Sequence, residues 1–283
     1  MEQWTETYRG TVPPWECDVT EHFTIAYYFD RLGEAERNFS EGLVLREFLR
    51  AGLPRRFDVR FARELRAGSS FHVVSAPLGV SPHALRIGHR FVDSANGETV
   101  TSFIESWDLT DAPLPRERVD AIAEGLALWD GPEPEARPEP AGFAGFVPSA
   151  RGRVRPEDVN ADGRFSLGAI VHRFTDASLQ TGASIGMDAE YMDQNRRGFS
   201  TFELVLQLSA SLELDEPFLI ESGVAHLGNS SLRVIHRMTE PRRGVEIARL
   251  SQYGVNLDLD ARRPAKWPDD VRARAEPRVI ALE

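Results

Sequence analysis

Residues 9–35, RGTVPPWECDVTEHFTIAYYFDRLGEA, return without a gap as residues 151–177, RGRVRPEDVNADGRFSLGAIVHRFTDA. Identities fall at Arg9/Arg151, Gly10/Gly152, Val12/Val154, Pro14/Pro156, Phe23/Phe165, Arg31/Arg173 and Ala35/Ala177. Chance would give about one or two at roughly 6% per position. Conservative pairs fill much of the rest, among them Glu16/Asp158, Asp18/Asn160, Thr24/Ser166, Ile25/Leu167 and Glu34/Asp176. A second anchor, Leu85-Arg86-Ile87-Gly88-His89-Arg90 against Leu232-Arg233-Val234-Ile235-His236-Arg237, extends the repeat, and Gly97 returns as Gly244. The chain is therefore expected to be two copies of one unit. The Pro- and Glu-rich stretch GPEPEARPEPAG supplies a boundary, which divides the chain into an N-terminal unit 1–130, a linker 131–148 and a C-terminal unit 149–283.

Each unit has a length that buries an ordinary core. No apolar run approaches the ~20 residues a membrane helix needs. The start, MEQWTETYRG, lacks the basic and apolar regions of a signal peptide. One cysteine, Cys17, makes no internal disulfide and fits a reducing, cytoplasmic setting. A net charge of −11 argues against a nucleic-acid partner, whose phosphates need basic surface. Lys266 is the sole lysine, so anion contacts would fall to arginine, which forks well onto phosphate. The candidate clusters are Arg55-Arg56 with Arg60 and Arg63, and Arg196-Arg197.

The period of apolar residues orders the elements. A strand within 3–14 ends at Pro13-Pro14, and a turn then leads to a helix capped by Thr24, with Ile25, Tyr28, Phe29, Leu32 and Ala35 at helical spacing. An amphipathic segment spans 43–51. Runs at 57–65, 70–78, 84–92 and 99–109, separated by turn residues, predict an antiparallel meander, and 116–129 a surface helix. The second unit repeats the order with strands at 151–157, 198–212, 217–227, 231–239 and 245–257 and a helix capped by Ser166. The polar end from Asp260 is expected to be irregular.

The segment Trp15-Glu16-Cys17-Asp18-Val19-Thr20-Glu21-His22-Phe23-Thr24, followed by Tyr27-Tyr28, resembles the 4-hydroxybenzoyl-CoA thioesterase-like family of the hotdog fold. Glu64-Leu65-Arg66-Ala67-Gly68 adds a weaker likeness. The resemblance implies an α+β fold, a tandem double hotdog in which each unit wraps an antiparallel sheet around a long helix. It also implies hydrolysis of an acyl thioester of coenzyme A. The family pattern has Gly before the His, where this chain has Glu21, a residue that disfavours positive φ. In the second copy the Gly is present as Gly163, while Asp18 and His22 have become Asn160 and Arg164.

The resemblance makes Asp18 the catalytic carboxylate, as nucleophile or base, with His22 as its helper. Amides at the helix start, near Thr24 and Ile25, would stabilise the oxyanion. Phe23, Tyr27 and Tyr28 would line an acyl pocket, Asn160, Asp162 and Arg164 the altered pocket of the second copy, and Arg60 and Arg63 would meet the carrier's phosphates. Glu34 reads as a solvated or interface carboxylate and Cys17 as apolar filler. The paired His89 and His236 suggest a shared cross-strand hydrogen bond. Residues 158–163 copy half a calcium loop, but Ala169 stands where a bidentate Glu is needed. Gly182-Ala183-Ser184-Ile185-Gly186 copies a hydrolase elbow outside its strand-to-helix context. No metal or cofactor is implied. Two other readings remain: an acyl-thioester hydratase or dehydratase on the same fold, and a non-catalytic acyl-thioester binder. The expected partners are a small-molecule thioester and self-association of the double units, with no nucleic acid and no membrane.

Overall fold

A computed structural model describes residues 3–18, 20–43, 45 and 54–283. The chain divides into two compact units, Met1–Glu133 with Val205–Ala210, and Pro134–Leu204 with Ser211–Glu283. In the first, β1 (Thr5–Thr11) leads through a 3-10 turn, Pro14–Glu16, to helix α1 (Ile25–Gly42). Strands β2 (Arg55–Phe61), β3 (Ser70–Ser81), β4 (Ala84–Asp93) and β5 (Thr99–Asp108) follow, then helix α2 (Arg116–Ala123). The antiparallel strands run in the order β1-β3-β4-β5-β2. The second unit has β6 (Val147–Arg153), a 3-10 turn Pro156–Asp158, helix α3 (Leu167–Ser184), helix α4 (Ala189–Asn195), β7 (Arg197–Leu208), β8 (Pro217–Leu227), β9 (Ser231–Glu240) and β10 (Val245–Asp258). Its order, β6-β8-β9-β10-β7, is the same with every strand replaced by its counterpart.

The duplication reaches into the irregularities. β1 slips against β3 between Glu6 and Tyr8, and β6 slips against β8 between Pro148 and Ala150, the equivalent positions. A bulge in β3 between Pro77 and Gly79 returns in β8 between Val224 and His226. Bulges bend a strand and increase its twist, so matched bulges give both sheets the same curvature around their helix.

That helix is the centre of each core. Ala26, Phe29, Leu32, Ala35 and Phe39 recur at helical spacing on the buried face of α1. The Phe29 ring meets Phe57 and Phe103 edge-on at 6.0 and 5.2 Å, and all three are completely buried. Each such ring contributes about 1.5–3 kcal/mol by leaving water. In α3 the same stripe is Gly168, Val171, Phe174, Ala177 and Thr181.

Two sequence expectations change, and a third falls outside the described residues. The surface helix α2 stops at Ala123, ahead of Gly125. The segment 43–51 lies almost entirely outside the described residues. The C-terminal end is ordered: β11 (Arg263–Pro264) pairs with β10, and helix α5 (Asp269–Ala275) starts with two acids and ends with Arg272 and Arg274, as the helix dipole favours. Its polar composition conceals an apolar side, because Trp267, Val271 and Ala275 pack on Ile185, Met187, Val224 and Val234. Among the described residues no helix is long and apolar enough to cross a membrane.

Candidate functional site

The turn between β1 and α1 is built from its own side chains. Asp18 Oδ1 accepts from the Thr20 amide at 2.8 Å, the Thr20 hydroxyl at 2.5 Å and the His22 amide at 3.4 Å. The Asp18 amide donates to the His22 carbonyl at 2.9 Å, and the Glu21 amide to the Asp18 carbonyl at 2.9 Å. This is an Asx-type turn, in which a short side chain bonds the backbone ahead of it. The second unit copies it: Asn160 Oδ1 accepts from the Asp162 amide at 2.9 Å and the Arg164 amide at 3.2 Å. One side-chain oxygen thus suffices to build the turn, and Asn supplies it. What Asp18 adds is a charge and a second oxygen on an exposed residue.

Glu21 has φ 64° where Gly163 has φ 74°. The expected difficulty is real, because the turn keeps its geometry and the glutamate bears the strain, of order 1–3 kcal/mol for a non-glycine in this region.

His22 is buried and its ring bridges two groups. Nε2 lies 2.7 Å from Glu64 Oε2, and Nδ1 lies 3.0 Å from the Thr20 hydroxyl. The imidazole was expected to help Asp18 directly; instead only its backbone amide touches that carboxylate, and Thr20 stands between. A linear array results, Glu64, His22, Thr20, Asp18. Because Asp18 Oδ1 can only accept, the Thr20 hydroxyl donates to it and accepts in turn from His22 Nδ1–H. Nε2 faces Glu64 across the 2.7 Å contact.

Glu64 is the residue that sequence reasoning did not place in the site. It lies 42 residues beyond His22, in the loop after β2, and the Phe23 amide holds that loop by donating to the Leu65 carbonyl at 2.8 Å. The matching bond, Phe165 amide to Leu212 carbonyl at 3.0 Å, makes Ser211 the counterpart of Glu64. The four positions Asp18, Thr20, His22 and Glu64 are therefore Asn160, Asp162, Arg164 and Ser211 in the second unit. Acid, imidazole and second acid are all lost there.

Thr24 is the N-cap residue of α1 by backbone conformation, yet its side chain makes no cap bond; Ser166 accepts from the Ala169 amide at 3.2 Å. The Tyr27 amide turns back to the Thr24 carbonyl at 3.0 Å. Ile25 is half-buried. The Thr24 hydroxyl thus leaves the first turn of α1 uncapped, where the Ser166 hydroxyl caps the first turn of α3.

The aromatic residues expected in an acyl pocket are mostly core. Phe23 packs on Tyr28 at 4.6 Å, and Tyr28 on Phe61 and Phe91 at 5.5 and 5.3 Å. Burial pushes the Tyr28 phenol upward. Of the three, Tyr27 alone is half-open, stacked beside Phe23.

The arginine clusters also resolve differently. Arg55 is enclosed between Glu36 at 2.5 Å and Glu105 at 3.3 Å, Arg56 pairs with Asp58 at 2.7 Å, and Arg63 with Glu98 at 3.0 Å. Arg60 is half-buried on β2 opposite Ser102. Arg196 and Arg197 pair with Asp260 and Asp258. Arg55, Arg56, Arg63, Arg196 and Arg197 thus each pair with a carboxylate of their own unit.

The remaining motifs have structural explanations. Asp158 pairs with Arg173 at 2.6 Å, as Glu16 does with Arg31, which explains why both pairs recur across the repeat. Ser184 ends α3 and donates to the Thr181 carbonyl. Glu34 is exposed, 3.7 Å from Arg31, and Cys17 is half-buried, with burial raising its thiol. His89 Nδ1 lies 2.8 Å from Ser75 Oγ, and His236 Nδ1 2.6 Å from Ser222 Oγ, the same cross-strand bond in both sheets. Among the described residues no group of three acidic, His or Cys side chains could hold a metal ion.

Two α+β units of this build, each an antiparallel sheet wrapped around one long helix, define a tandem hotdog fold. Residues 154–275 match the family model described as the thioesterase-like superfamily. The match covers the second unit, whereas the acid–imidazole array lies in the first. No curated protein matches the chain. Among solved structures, an acyl-ACP thioesterase from Bacteroides thetaiotaomicron is 11% identical, with a TM-score of 0.67, covering 89% of this chain and 98% of that one. An oleoyl thioesterase from Lactobacillus plantarum is 11% identical with a TM-score of 0.68, covering 89% and 97%. A 12:0-ACP thioesterase from Umbellularia californica is 13% identical with a TM-score of 0.63, covering 90% and 94%. The chain is similar to these in fold over nearly its whole length.

Proposed function

We propose that the chain is a thioester hydrolase whose chemistry resides in the first unit, acting on an acyl group carried by coenzyme A. The observation that carries this reading is the array Glu64, His22, Thr20, Asp18, present in one unit and dismantled in an otherwise matching turn of the other. Hydrolysis needs a base for water, a donor for the oxyanion and a proton for the departing sulfur. The second oxygen of Asp18 is the base, or the nucleophile if a mixed anhydride forms first. His22, which faces Glu64, returns a proton to the thiolate. The amides of Ile25 and its neighbours at the open first turn of α1 receive the oxyanion. Water is the co-reactant, and the reaction calls for no cofactor. The second unit, with Asn160, Asp162 and Arg164, keeps the fold and lacks the base.

The test is release of free thiol from short, long and aromatic acyl-CoA thioesters and from the same acyl groups on a carrier protein, comparing wild type with Asp18→Asn and Asp162→Asn. A loss of at least about 10²-fold in Asp18→Asn alone supports the first unit as the active one. Survival of turnover in Asp18→Asn with loss in Asp162→Asn moves the chemistry to the second unit. Enoyl turnover without thiol release supports a hydratase.

A further inference from the structure

Glu21 is out of place by every local rule. It sits at φ 64° in a turn whose copy uses Gly163 at φ 74°, and the backbone bond it makes, amide to the carbonyl three residues back at 2.9 Å, is the one Gly163 also makes. The turn therefore has no structural use for a side chain there. The reverse substitution, Asp215 at φ 64° where the first unit has Gly68, has a local explanation, since Asp is short, tolerates this region and lies 3.5 Å from Arg153. Glu21 has neither excuse. It is exposed, and among the described residues its carboxylate has no hydrogen-bond or ion-pair partner. It adds a negative charge between Asp18 and His22, close in sequence to both. A strained, solvent-facing carboxylate in the middle of the reactive turn is explained by what approaches that turn from outside.

We propose that Glu21 is a specificity-determining residue that accepts a hydrogen bond from a neutral N–H or O–H donor on the thioester substrate. The inference rests on the hydrolase reading above. Carboxylates only accept, so a donor is required, and the carrier's phosphates are repelled. The donor is either an amide or hydroxyl of the pantetheine arm or a hydroxyl on the acyl group. An acyl group ending in a carboxylate is disfavoured by the same charge.

The experiment uses the full chain and non-hydrolysable S-alkyl and S-hydroxyalkyl thioethers of pantetheine, titrated calorimetrically into wild type, Glu21→Gly and Glu21→Gln. Glu21→Gly restores the residue of the second unit, so the turn survives, and its Tm is expected to rise by about 2–4 °C. The affinity is expected to fall at least about 5-fold in Glu21→Gly and less in Glu21→Gln, whose amide oxygen still accepts. Equal loss for both thioethers assigns the donor to the pantetheine arm; loss confined to the hydroxyalkyl ligand assigns it to the acyl group. Unchanged affinity for both ligands in Glu21→Gly, or no binding by wild type, overturns the proposal. Thiol release is assayed in parallel: its absence in wild type removes the hydrolase reading, while the thioether affinities still decide the role of Glu21.

Discussion

His22 Nε2 and Glu64 Oε2 lie 2.7 Å apart, although 42 residues separate them and they belong to different loops. The contact joins the turn before α1 to the loop after β2, and the backbone bond from Phe23 to Leu65 fixes their approach. A carboxylate at this distance orients the imidazole. Glu64→Gln is therefore expected to lower kcat by about 10²-fold or more with a smaller change in KM. Glu64→Ser, which reproduces the second unit, is expected to do the same. Steady-state thiol release measures both, and a kcat within twofold of wild type removes Glu64 from the reaction.

Asp18→Asn separates charge from architecture. Asn160 shows that an amide oxygen builds this turn, so the variant is expected to unfold within about 0.5 kcal/mol of wild type. Its kcat is expected to fall by at least about 10²-fold. Asp18→Ala removes the turn bonds as well and is expected to cost a further ~1 kcal/mol. Urea melts beside kinetics distinguish the two: a large stability loss in Asp18→Asn would make the carboxylate a scaffold and not a reagent.

The order of elements was legible because binary pattern and turn residues repeat twice, and each copy corrects the other. The repeat even marks two ion pairs: Glu16/Asp158 and Arg31/Arg173 recur because each acid pairs with its arginine at 2.6 Å. Glu64 was not legible as a site residue, since a contact across 42 residues leaves no local periodicity. The ion pairs of the arginine clusters were not legible for a related reason, because adjacency in sequence says nothing about Glu36 and Glu105 arriving on either side of Arg55. Aromatic residues around α1 looked like a pocket, yet Tyr28 and Phe23 face the sheet. The C-terminal helix was hidden because Trp267, Val271 and Ala275 are too sparse among charged neighbours to set a period.

The cluster that Glu36 of α1 forms with Arg55, Glu105 and His89 of the sheet predicts a pH effect. Burial, only partly offset by Arg55, raises Glu36 and Glu105 each to about 7, and burial lowers His89 to about 4. His89 Nε2 faces Glu105 at 3.3 Å and its other nitrogen faces Ser75. In the second unit the corresponding contacts are neutral, His236 to Ser178 and Ser178 to Gln252. For a carboxylate with a raised folded pKa, the unfolded chain releases its proton first. Stability is then present below about 4.5 and is lost as pH climbs toward 7. His89 acts in the opposite direction, so the test is a difference between two proteins that both retain it. The Tm of Glu36→Gln minus that of wild type is expected to grow from pH 5 to pH 8, because Gln does not titrate and leaves Arg55 with one carboxylate. A constant difference across that range would contradict the raised carboxylate.

The two helix starts give the sharpest comparison within one molecule. Ser166 Oγ accepts from the Ala169 amide at 3.2 Å, whereas the Thr24 side chain makes no cap bond although its backbone stands in the same extended conformation. A cap of this kind is worth about 1 kcal/mol, so Ser166→Ala is expected to lose that amount and Thr24→Ala much less. If the open first turn of α1 is kept open for an oxyanion, closing it should slow the reaction. Thr24→Ser, whose less hindered hydroxyl can rotate over the first turn and take the Tyr27 amide from the Thr24 carbonyl, is expected to hold or raise Tm while lowering kcat. Melts and thiol release on the three variants check this; a Thr24→Ser variant that gains stability with unchanged kcat would show that these amides do not meet the developing charge.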